Sequence, residues 1–331
     1  MRSTIWLVGV CGLLLAQHLA VPARADVFGS GANSFQIEFV AIGQPGNPPD
    51  ANPNPAGAVP YEYRIGKYEI SEEMIEKANT LGGLGITKDT RGPDKPATSV
   101  TWYEAARFVN WLNTSTGATP AYKFDALGNF QLWLPTDPGY DPTNLYRNSL
   151  ARYFLPSLNE WHKAAYFDPV AGHYWDYPTG SDAIPDGIDF LGDTDFDAVF
   201  YDGTSNTGPE DITNVGLLSP YGTAGQGGNV REWVESAFDR RNDFPGEQRV
   251  APGGGFGDSS NVLAAWNTQI GDGPQFGNIV TGLRVGSLVP EPSSLLMFCL
   301  GLVLFPKLAV QGHPSRAPSL GESQPPGGVR T

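Results

Sequence analysis

The chain has 331 residues, room for one large domain or two small ones. With 41 Gly and 29 Pro it is loop-rich, yet 8 Trp, 17 Phe and 13 Tyr are enough to build an aromatic core. Residues 26–290 hold 16 Lys and Arg against 33 Asp and Glu, a net charge of −17, which repels phosphate backbones and excludes nucleic acid as a partner; divalent cations suit such a surface better.

Arg2 precedes an apolar run over residues 5–15, and Ala23-Arg24-Ala25 supplies small residues for a signal peptidase. Residues 1–25 therefore read as a signal peptide cleaved before Asp26, and the protein as exported. Both cysteines, Cys11 and Cys299, lie outside residues 26–290. The exported part thus has no disulfide, thiolate ligand or cysteine nucleophile. Its Gly and Pro content also argues against long helices and a parallel sheet.

In chain order, residues 34–42 alternate as a strand, residues 45–60 form a Pro-rich surface loop, and residues 61–70 alternate again as a half-buried strand. Ser71 caps the next helix, with Glu72 and Glu73 in its first turn. Thr101 with Glu104, and Ser157 with Glu160, form capping boxes that start two more helices. Ala105, Phe108, Val109 and Leu112 make the core stripe of the first, ending near Asn113. Trp161, Ala164 and Ala165 make that of the second, closed by Asp168-Pro169. Residues 174–255 read as turns and short strands without helical period. The sum is a single α+β domain over residues 26–289.

Residues 290–331 have a different character. Val289-Pro290-Glu291-Pro292-Ser293 precedes an uncharged apolar run, residues 295–305, which Pro306-Lys307 follows; counted on through Val310 the apolar stretch is residues 295–310, with a Pro- and Gly-rich tail behind it. Its 16 residues fall short of the ~20 that span a bilayer comfortably, so it makes transient membrane contact. The segment resembles the PEP-CTERM sorting signal. That resemblance implies recognition by an exosortase, tail removal, and delivery to the surface or extracellular matrix of a bacterium with an outer membrane, where exopolysaccharide or matrix proteins become partners. The thin basic cluster and the 21 residues after Val310 depart from the pattern.

Five motifs follow in order: Tyr63-Arg64-Ile65-Gly66-Lys67-Tyr68-Glu69-Ile70, Val100-Thr101-Trp102-Tyr103-Glu104-Ala105-Ala106, Leu155-Pro156-Ser157-Leu158-Asn159-Glu160-Trp161, Gly228-Asn229-Val230-Arg231-Glu232-Trp233 and Gly282-Leu283-Arg284. Together they resemble the formylglycine-generating enzyme (sulfatase-modifying factor) family over residues 35–287. The resemblance implies a C-type-lectin-related fold with few short helices and short antiparallel strands. It also implies copper held by two thiolates, which oxidises a sulfatase cysteine with molecular oxygen. Those two positions fall here on Asp258 and Leu263, neither of which binds Cu(I) as a thiolate does, so copper and the family's oxidase chemistry are not expected. The family further implies structural calcium, with Gly228, Val230 and Glu232 as ligands. The upstream side-chain ligand falls on Gly225, which has none.

Other constellations are weaker. Asp189, Asp193, Asp195, Asp197 and Asp202 begin like a calcium loop, but Ala198 and Thr204 stand where its glycine and bidentate glutamate belong. His162 and His173 are the exported part's only histidines, and Glu160 and His162 face different sides of a helix. No Gly-x-Ser-x-Gly elbow appears. The function expected is a non-catalytic binding or structural module of the matrix, the alternative being a formylglycine-generating-type oxidoreductase or an enzyme of altered chemistry on the same fold.

Overall fold

A computed structural model of the chain describes residues 24–290, apart from residues 204–206 and 269. Most of the signal peptide and the apolar segment at residues 295–310 lie outside the described residues. Among the described residues no helix is long and apolar enough to cross a membrane.

The central sheet is built from β1 (Arg24–Phe28), β2 (Phe35–Ile42), β3 (Tyr63–Gly66), β4 (Tyr153–Phe154) and the last strand among the described residues, β7 (Gly286–Leu288). Their order is β1-β2-β3-β7-β4, all antiparallel. The point predicted for signal-peptide cleavage falls inside β1. Asp26 is the anchor there: Arg64 Nη2 reaches its carboxylate at 2.7 Å, Tyr153 Oη at 2.8 Å and Arg152 Nη2 at 3.2 Å.

The second alternating stretch is shorter and more buried than its pattern suggests. Only Tyr63–Gly66 joins the ladder, and all four residues are buried, because β3 is the middle strand and both its faces are covered. Beyond Gly66 the amides find partners singly, Lys67 N on Glu38 O at 2.7 Å and Ile70 N on Leu283 O at 2.9 Å. That departure from the ladder brings Glu69 into the interior, only 1% exposed.

Three helices start where their caps predict. Ser71 Oγ accepts from Met74 N ahead of α1 (Glu72–Gly82), and complete capping boxes open α2 (Trp102–Ser115) and α3 (Leu158–Tyr166). The stripe Ala105, Phe108, Val109, Leu112 is wholly buried, as are Trp161, Ala164 and Ala165. α3 ends before Asp168, since Phe167–Asp168 turns into a two-residue ladder with His173–Tyr174. Ser157→Ala removes the cap of α3 and is expected to cost about 1 kcal/mol, read as a lower urea midpoint at unchanged slope.

The described residues through Val289 form one compact unit. Its largest core cluster lies between α2 and the sheet, with Trp102, Phe108, Tyr153 and Trp233 at its centre. Beyond the sheet, β5 (Arg231–Trp233) pairs with β6 (Thr281–Leu283), and β7 (Gly286–Leu288) follows directly. The β5–β6 pair is parallel, against the expectation from composition. At three residues a strand, with a long loop region between them, it needs no crossover helix.

Candidate functional site

The Gly-rich segment at residues 225–228 and the segment at residues 253–255 lie against each other, Gly228 N donating to Gly253 O at 2.8 Å. Gly228 sits at φ 92°, and a Cβ there would come 2.4 Å from Val199 O, so only glycine fits. Asn229 turns its side chain inward, where Nδ2 donates to Glu69 at 2.6 Å, and Val230 N adds a bond to the same carboxylate at 3.2 Å. Burial first, then the neighbouring Glu232, pushes the Glu69 carboxyl well above the usual carboxylate range.

Glu232 is itself fully buried and fully used. Trp161 Nε1 donates to Oε2 at 2.6 Å, while Arg284 reaches Oε1 from Nη2 at 2.7 Å and Oε2 from Nε at 3.0 Å. Arg284 also supplies the carbonyls of Gly66, Lys67 and Ala224 at 2.6–2.8 Å. All five of its N–H groups are therefore engaged. The structure brings Gly228, Val230 and Glu232 into one neighbourhood. As arranged, however, Glu232 is the ion-pair partner of Arg284 and has no oxygen left for calcium, and the space beside Gly225 is met by the Glu69 carboxylate, 3.5 Å from where a Cβ would lie. These residues do not fit a calcium shell.

The two positions expected to replace the thiolates are also committed. Asp258 accepts from Arg231 Nε at 2.9 Å and Nη2 at 2.6 Å, a bidentate pair, and from Gly255 N at 2.9 Å. Leu263 ends a short helix, Ser260–Leu263, and is wholly buried with Tyr177, Phe200 and Ala264. A carboxylate already paired with a guanidinium and an aliphatic side chain do not fit a soft copper ion. Around them Tyr201 and Trp266 stay 43% and 40% exposed, Tyr201 N donating to Asp258 O at 2.9 Å and Trp266 packing edge-on to Tyr177 at 6.1 Å.

The profile of the sulfatase-modifying factor enzyme 1-like domain matches residues 46–286. The chain belongs to that family. Two solved structures share the fold of this sulfatase-modifying-factor-like chain. "Treponema denticola variable protein 1" is 18% identical with a TM-score of 0.57, over 80% of this chain and 99% of that one. "CarF" is 18% identical with a TM-score of 0.55, over 77% and 99%. No curated protein matches the chain.

Outside this centre, Glu160 and His162 point to different partners, as their spacing implies. Glu160 meets Arg147 and Tyr61, while His162 meets Asp50 at 3.0 Å. His173 is exposed, edge-on to Trp175. In the aspartate loop, Asp193 accepts the amides of Asp189 and Asp195, and Asp197 that of Asp186, so the carboxylates cap their own turns. The one carboxylate group with metal-like spacing among the described residues is a different one, Asp239 with Asp243 and Glu247. Sequence reasoning missed it because those acids are spread over an irregular loop.

Proposed function

We propose that this chain is an exported, non-catalytic member of the sulfatase-modifying factor family, acting as a binding or structural module of a bacterial extracellular matrix. The observation that carries the reading is the Arg231–Asp258 pair, with buried Leu263, standing where the family resemblance places the copper thiolates, in an exported part without cysteine. The signal peptide and the exosortase-type C-terminal segment support the destination. The C-type-lectin-related architecture supports the mode, a loop-rich face on a rigid core.

The face centred on Asp258 is the binding surface in this reading. Tyr201 and Trp266 offer half-exposed rings with polar edges, suited to stacking on the sugar rings of exopolysaccharide. Loss of one such ring is worth about 1.4 kcal/mol, so Trp266→Ala or Tyr201→Ala is expected to weaken binding of the host's purified exopolysaccharide about tenfold with the melting temperature unchanged. Equal binding by wild type and a heat-denatured control would refute a glycan-binding role.

Chemistry is tested separately. Purified protein reconstituted with copper and oxygen is expected to leave a cysteine-containing sulfatase peptide at its original mass. Conversion of the thiol to the aldehyde would instead establish an oxidoreductase. Calcium or a chelator is expected to leave the melting temperature unmoved, because Glu232 is already neutralised by Arg284.

A further inference from the structure

The Pro-rich loop predicted at residues 45–60 lies along a single turn of α3, and four residues of that turn hold residues 44–61 in place. Lys163 Nζ donates to Gln44 O at 2.9 Å, His162 Nε2 meets Asp50 Oδ2 at 3.0 Å, Asn159 Oδ1 accepts from Gly57 N at 3.0 Å, and Glu160 Oε1 accepts from Tyr61 Oη at 2.9 Å. Outside α3, Arg240 Nη1 reaches Pro55 O at 2.6 Å, and Asn47 Nδ2 bridges Gly57 O at 2.8 Å and Tyr174 Oη at 2.6 Å.

His162 differs from the other three. It is wholly buried, its ring centred 4.7 Å from Tyr166 and 5.5 Å from Tyr174, and its Nδ1 has no partner. A neutral imidazole fits this place, donating from Nε2 to Asp50 and leaving Nδ1 an unused acceptor. An imidazolium would bury an N–H donor with nothing to accept it, which costs about 1–3 kcal/mol before its charge is counted. The charged groups around the pair work in both directions: Asp50 favours the cation, Arg240 opposes it, and Asp176 faces Asp50.

We propose that residues 44–61 are an acid-released strap, closed over α3 while His162 is neutral and set free when it takes a proton. Release would lift Ala56 off its cluster and uncover Leu158, Trp161 and Tyr166, with Tyr174 against them. The direction follows from linkage. Burial, with Arg240, holds the imidazole below its ordinary 6.5 despite Asp50, so the open form binds the proton first. Strap closure is then complete above pH 6.5 and weakens as the pH falls below it.

Amide hydrogen exchange, corrected for its intrinsic pH dependence, tests this on the full exported chain. Protection at Gly57, whose amide crosses from the strap to Asn159 Oδ1 on α3, is expected to fall about tenfold between about pH 7.5 and pH 5.5, while amides within α2 keep theirs. His162→Gln keeps a donor for Asp50 without a titrating ring and is expected to flatten the profile. Should that variant not fold, an NMR titration of the wild type decides: the His162 ring is expected to stay mostly neutral at pH 6.5, where an unperturbed imidazole is half protonated. Protection that does not change with pH, an equal loss in His162→Gln, or a His162 ring half protonated at or above pH 6.5 would overturn the proposal.

Discussion

Arg284→Ala is expected to be the most damaging single substitution in the chain, lowering stability by at least about 3–5 kcal/mol in urea titration at neutral pH. The change leaves Glu232 buried with only Trp161 to satisfy it, beside a second buried carboxyl, Glu69. It also strips the donor from the carbonyls of Gly66, Lys67 and Ala224, at about 1–3 kcal/mol for each that stays dry. Those carbonyls separate this site from an ordinary ion pair. A simple buried pair can often be replaced by apolar residues without loss, whereas Arg284→Met with Glu232→Met still orphans three acceptors and is expected to remain clearly destabilised. A double variant as stable as wild type would show that the guanidinium is not what ties β3, β5 and the Gly-rich segment together. Arg284→Lys places a charge nearby but cannot fork over five acceptors, so it is expected to recover only part of the loss.

How much of this was readable from the chain follows from the range of each interaction. Caps and stripes are local, so Thr101 with Glu104 and Ser157 with Glu160 announce their helices to within a residue or two, and the alternation over residues 34–42 announces β2. Absence is also readable: no alignment is needed to see that residues 26–290 contain no thiol. Pairings across the fold were not legible. Nothing near Asp258 names Arg231 as its partner, and Glu232 reads equally well as a cation ligand or as an ion-pair partner until Arg284, 52 positions later, is seen against it. Glu69 looked like the polar member of an alternating strand. It is interior because the chain leaves the ladder at Gly66, a decision made by β6 and β7 from the far end of the sequence.

Arg147 carries the second large prediction. Its guanidinium stacks on Phe154, 3.8 Å from the ring centroid, and divides itself between two buried acids, Nε on Glu235 at 2.7 Å and Nη2 on Glu160 at 2.8 Å. Glu160 also accepts from Tyr61 Oη and from its own cap residue Ser157, so a single carboxylate joins the strap, the start of α3 and the loop that carries Arg147. Arg147→Met keeps the packing against Phe154 and removes the charge, and is expected to cost about 3–5 kcal/mol at pH 7 because two carboxylates are then buried without a cation. The pH dependence distinguishes this from lost packing. In the wild type, burial alone would raise the Glu160 carboxyl, but Arg147 holds it below its usual value. Its contribution is therefore present above pH 4.5 and lost as the pH falls through the lower folded value. In Arg147→Met the same buried carboxyl has lost the partner that held it down, so it takes up a proton above pH 4.5 and relieves the variant before the wild type begins to weaken. The gap between the two urea midpoints is expected to narrow steadily from pH 7 towards pH 4.5. A gap of constant width would mean that Arg147 matters through its contact with Phe154 alone and that the two acids find their neutrality elsewhere.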